Sequence, residues 1–114
     1  MRTAIQKLIY FLNVVGVPMQ FRFRIHHYGP FCDELSGVLD WLQADEIVTD
    51  NSSEPSRYSN FSPGQNWPEV KEKYQNDLGQ HRETINSVAS VLGSMEPRTL
   101  ELIATLDFCF RWVQ

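Results

Sequence analysis

Several common signatures are missing from this sequence, and each absence narrows the reading. Cysteine is scarce: Cys32 and Cys109 lie far apart, with no Cys-x-x-Cys pair and no secretory leader before them, which argues against a disulfide and for a reducing cytoplasm. No apolar run approaches the roughly 18 to 20 residues that a membrane span requires, so a soluble, cytoplasmic chain is expected. Positive charge is also short, with 10 Lys and Arg against 14 Asp and Glu. The formal charge of -4 and pI near 5.2 have the wrong sign for coating nucleic acid or anionic lipid. Internal repeats and low-complexity segments are lacking, which argues against a solenoid. So are a Gly-rich phosphate loop, an oxyanion motif and a paired-carboxylate pattern, and no cofactor or metal is expected.

What is present fits one domain over residues 1–114: 42% of positions are hydrophobic and 12% aromatic. A chain of this length can bury roughly two thirds of its unfolded surface without disulfides or metal. Its charge is uneven. Residues 1–44 carry four basic and three acidic groups, whereas residues 45–114 carry six and eleven, so the mildly basic surface is N-terminal.

Thr3 and Gln6 have the spacing of a capping box, and Ile5, Leu8, Leu12 and Val15 continue as a helical stripe that Gly16 closes and Pro18 keeps from resuming. Residues 20–28 alternate Phe21, Phe23, Ile25 and His27 with Arg22, Arg24, His26 and Tyr28, the period of a strand with one buried face, which Gly29-Pro30 breaks. Leu35, Val38, Leu39 and Leu42 predict a helix over 33–44. Two extended runs, 47–50 and 57–61, flank a polar turn and suit a loose hairpin. Asn66 and Glu69 open a helix whose apolar residues, from Trp67 to Leu92, recur at spacings of three and four for seven turns. Pro97, with Ser94 or Glu96 before it, opens a last helix that is apolar nearly all round.

The order helix, strand, helix, hairpin, helix, helix matches in topology an α+β winged-helix-like domain over 1–62, the hairpin being the wing, with a C-terminal two-helix extension over 66–114. The residues also resemble a family. Arg2-Thr3-Ala4-Ile5-Gln6-Lys7-Leu8-Ile9-Tyr10-Phe11 followed by His27-Tyr28-Gly29-Pro30-Phe31-Cys32-Asp33-Glu34-Leu35 resembles the YwgA-like family of prokaryotic proteins. More distantly, it is similar to the Panacea or SocA-like antitoxin domains, which share a Lys-Leu-Ile-Tyr-type helix and a Tyr-Gly-Pro turn. The resemblance covers about the first 50 residues. It implies a protein-binding module that neutralises a toxin or hands it to proteolysis, and it brings no catalytic residues. It also implies another helix upstream of Thr3, hence a chain truncated at one or both ends. Cys32 stands where a small hydroxyl cap is usual.

The apolar last helix has two explanations that stay open: it is central and covered by the other elements, or its outer face is covered by a continuation of the chain or a second copy. Trp41, Phe108, Phe110 and Trp112 are accordingly the candidate partner-binding anchors. Arg22, Arg24 and Arg57 are candidate phosphate contacts, against which stands the plainer reading of a charged edge strand. The helix over 33–44 has no Lys or Arg and carries Asp33, Glu34 and Asp40, so phosphates would repel it. His26 and His27, as neighbours on a strand, are expected to point to opposite faces and not to chelate one ion, and His81 lies on a remote helix. Cys32 near His26 and His27 sketches a nucleophile with nothing to accompany it. The expected function is thus a non-enzymatic protein-interaction or regulatory module, antitoxin-like in flavour, that binds a protein partner or itself. The alternatives are a winged-helix DNA-binding regulator and, more remotely, a cysteine-dependent enzyme.

Overall fold

The computed structural model describes residues 3–27, 29–51 and 61–112. The expectations placed on Tyr28, Arg57, the hairpin tip and the first residues of its second run fall outside them. Among the described residues the chain is an α+β fold of five helices and two small antiparallel sheets.

Helix α1 (Thr3–Val14) ends in a Schellman motif: Gly16, at φ +103°, donates to Asn13 O and Val17 donates to Leu12 O. Val17 and Leu12 are both buried, the apolar contact that accompanies this cap. Strands β1 (Arg24–His26) and β2 (Gly29–Phe31) form a hairpin with Arg24 opposite Phe31, Ile25 opposite Pro30 and His26 opposite Gly29. Two expectations are corrected here. The strand expected over 20–28 pairs only at 24–26, because its three-residue partner reaches no further. Gly29-Pro30, read as a breaker, is the start of β2, and the left-handed φ of +98° at Gly29 turns the chain into it.

Helix α2 (Asp33–Ala44) is capped by Cys32, whose Sγ accepts the Leu35 N–H at 3.4 Å. It ends in a second Schellman-type turn with Glu46 in the left-handed region at φ 57°. Strands β3 (Val48–Asp50) and β4 (Phe61–Pro63) then pair, Val48 opposite Pro63. The expected seven-turn helix is two: α3 (Trp67–Lys73) and α4 (Gln75–Leu92), separated by Tyr74 at φ -109°, ψ 20°. Asn66 does not cap with its side chain; its amide donates instead to Asp45 O at 2.9 Å. Helix α5 (Pro97–Trp112) starts after Glu96, whose carbonyl accepts the Leu100 N–H.

The central element is α1. One of its faces joins Tyr10 and Phe11 to Leu100 and Ala104 of α5, with Val88 and Leu92 of α4 alongside. Another puts Ile5 and Ile9 against Cys32, Leu35 and Leu39. Full burial of a side chain such as Leu100 contributes roughly 1.5–3 kcal/mol. Of the two explanations for the apolar last helix, coverage on all sides does not hold among the described residues: Leu102, Leu106 and Phe110 of α5 are exposed.

Candidate functional site

At 3.6 residues per turn, α5 sorts its apolar residues into two stripes. Leu100, Ala104, Phe108 and Trp112 follow at intervals of four and face α1. Tyr10 meets Phe108 at 6.2 Å and Trp112 at 6.1 Å between ring centroids. Leu102, Leu106 and Phe110 form a second stripe turned to solvent, 60, 61 and 82% exposed. Phe110 is rotated by about 200° from both Phe108 and Trp112. The sequence-predicted trio therefore separates: Phe108 and Trp112, the latter still 58% exposed, belong to one wall, Phe110 to the opposite one. Leu102 and Leu106, not chosen as anchors from the sequence, are Phe110's true neighbours, and their i, i+4, i+8 spacing is the signal that marks them. Trp41, 72% exposed, stands on α2, which packs on a different face of α1.

The N-terminal arginines differ from one another. Arg24 makes a two-pronged bond with Asp33, Nε to Oδ2 at 3.1 Å and Nη2 to Oδ1 at 3.2 Å. The guanidinium hydrogen bond and charge hold the Asp33 carboxyl below its usual value, and the arginine is raised in turn. Arg22 is exposed and makes no ion pair among the described residues. It lines a cleft of about 340 Å3 together with Tyr10, Phe21, Phe23, Phe108 and Trp112. Behind this cleft the Tyr10 hydroxyl donates to Asp107 Oδ2 at 2.7 Å, and Arg111 Nε donates to the same oxygen at 2.9 Å. Burial first, and the Asp107 bond second, push the Tyr10 phenol well above its usual range.

A buried polar knot sits one turn before Tyr10 on the same side of α1. Gln6 and Lys7 are both fully enclosed. The Gln6 amide donates to Cys32 O and accepts the Cys32 N–H, so it does not serve the capping box read from its spacing to Thr3. Lys7 Nζ donates to Pro30 O at 2.8 Å. Desolvation lowers its pKa to about 8, and the Glu101 carboxylate opposes that shift. Nothing in the sequence pattern distinguishes this lysine from a solvated one.

Cys32 is 2% exposed, and its sulfur is engaged by the α2 backbone. His26 and His27 do not point apart as expected: His27 lies in the turn beyond β1, and the two rings pack edge to face at 4.9 Å. Among the described residues no group of three His, Cys, Asp or Glu side chains is placed to hold a metal ion. No helix of the described residues is long and apolar enough to cross a membrane. No family model matches the chain, and no curated protein matches it.

Proposed function

We propose that the protein acts without chemistry, as a protein-interaction or regulatory module of the antitoxin type, working in the cytoplasm with a protein partner or a second copy of itself. The observation that carries this reading is the solvent-facing stripe of Leu102, Leu106 and Phe110 on α5. Covering three side chains that are each more than half exposed contributes roughly 3–5 kcal/mol of transfer free energy, before the cost of association. Trp41 is a second anchor on α2. In this reading residues 1–62 are a winged-helix-like frame with β3 and β4 as the wing, and the frame presents α5 to its partner. Support comes from the order of α1, α2 and the β3–β4 hairpin.

The test is light scattering behind size exclusion, with identification of copurifying protein, on the wild type and on Phe110→Glu and Leu106→Glu. Assembly by the wild type and its loss in both variants, with unchanged circular dichroism, is the expected result. A strictly monomeric wild type with no copurifying partner would sink the reading.

The DNA-binding regulator draws on the uncommitted Arg22, since Arg24 is already engaged by Asp33. Titration of a mixed-sequence duplex at roughly 50 and 200 mM salt separates it, because phosphate binding falls steeply with salt. The cysteine-dependent enzyme has the least support, its sulfur being shielded from solvent.

A further inference from the structure

The cleft at the C-terminal end of α5 has the build of a small-ligand site. It is lined by five aromatic residues, from α1 (Tyr10), the segment before β1 (Phe21 and Phe23) and α5 (Phe108 and Trp112), and by one cationic residue, Arg22. Its volume of about 340 Å3 lies at the small end of the range for ligand pockets, which combine apolar walls with a few polar groups. The walls are fixed by their own contacts. Tyr10 packs edge to face on Phe23 at 5.3 Å, and Phe108 lies 5.4 Å from Trp112.

The charges around the cleft select the ligand. A box of aromatic faces by itself attracts cations. Here that preference is reversed: Arg22 is one of the lining residues and has no carboxylate partner among the described residues. The nearby acid, Asp107, is taken by the Tyr10 hydroxyl and by Arg111. The Tyr10 hydroxyl proton is likewise committed to Asp107, which leaves Arg22 as the charged group that recognises the ligand. A guanidinium holds a carboxylate with two parallel bonds, and the rings stack on a planar apolar body. We infer that this cleft binds a small planar aromatic carboxylate, the ring among Tyr10, Phe108 and Trp112 and the carboxylate on Arg22. The site stands apart from the proposed interface, on the opposite side of α5 from Phe110, so the two are tested separately.

The experiment is a titration of the isotope-labelled protein followed by NMR at the Trp112 indole N–H, assigned by its loss in Trp112→Phe. Three probes of one size are compared: phenylacetate, neutral phenylacetamide and cationic benzyltrimethylammonium. Phenylacetate is expected to shift the Trp112 signal saturably and to bind roughly tenfold or more tightly than phenylacetamide, the margin of a charge-assisted hydrogen bond. In Arg22→Gln, at an exposed position that the fold does not need, the two should bind alike. The inference is overturned by equal affinity for acid and amide in the wild type, by tighter binding of the cation, by a phenylacetate affinity unchanged in Arg22→Gln, or by no saturable shift up to about 20 mM probe, beyond the millimolar range of weak specific binding.

Discussion

The Gln6 side chain and the Cys32 backbone are joined in both directions, with Nε2 donating to the carbonyl at 3.0 Å and Oε1 accepting the amide N–H at 2.9 Å. One side chain thus bonds two buried main-chain groups at the junction of β2 and α2, the N–H alone and the carbonyl together with the Ser36 N–H, just where the Cys32 sulfur also caps the helix. The Cys32 carbonyl keeps the Ser36 N–H as a partner at 3.2 Å, so Gln6→Leu leaves one buried group, the Cys32 N–H, without its bond and should destabilise the fold by roughly 1–3 kcal/mol. Urea unfolding measures this, and the Cys32 thiol should become faster to alkylate. An unchanged midpoint would mean that other groups satisfy Cys32.

Lys7 makes stability depend on pH in an unusual direction. Its folded pKa of about 8 lies below its ordinary value of 10.5, so between those limits the unfolded chain holds more protons and stability rises with pH. Below about pH 8 the burden of the buried ammonium is fully present, roughly 3 kcal/mol. Relative to Lys7→Met, which has nothing to titrate there, the wild type should gain about 2 kcal/mol between about pH 7.5 and 10. Tyr10 is common to both proteins and cancels in the comparison. A difference in urea midpoints that stays flat across the range would contradict the assignment.

Gly29 is required twice over. Its φ is +98°, and a Cβ there would lie 2.7 Å from Thr105 Oγ1, 3.2 Å from Lys7 Cε and 3.3 Å from Glu101 O. Gly29→Ala should cost about 2–4 kcal/mol by the sum of left-handed strain and contact. Adding Thr105→Ala removes the closest contact and should restore only part of the loss, because the backbone strain persists. Complete restoration in the double variant would assign the whole effect to the clash.

On α5 stability and assembly should separate. Leu106→Glu and Phe110→Glu change exposed positions, so their unfolding free energies should stay within about 0.5 kcal/mol of wild type while association is lost. A variant that both unfolds and dissociates would place these side chains in the core instead.

The parts of the fold legible in the sequence are those set by local signals. Helix α2 runs over the residues that Leu35, Leu39 and Leu42 predict, and Gly16 ends α1 because a Schellman turn needs its positive φ. What escaped the sequence depends on distant partners. Phe21 and Phe23 alternate with Arg22 and Arg24 as a strand would, yet alternation specifies only which side is covered, and without an opposite strand 20–23 stays unpaired. The break at Tyr74 leaves the three-four spacing intact, so periodicity could not show it. Gln6 fits a capping box by spacing, but the backbone at Cys32, 26 residues away, claims its amide. The anchor residues on α5 were half legible: the apolar richness was plain, whereas the division into an inner and an outer stripe needed α1's position.

The bond between Tyr10 and Asp107 spans 97 residues of chain. On a ribosome adding about 5–20 residues per second, the first helix must therefore wait roughly 5 to 20 seconds between its own synthesis and the arrival of the helix that covers it. Throughout that interval Tyr10 has only near neighbours such as Phe11 and Phe23 to pack on, and its contacts with Phe108 and Trp112 form only after translation has reached the end of α5. The α1–α5 half of the core is in that sense late to form, set by when α5 is made and not by when α1 is.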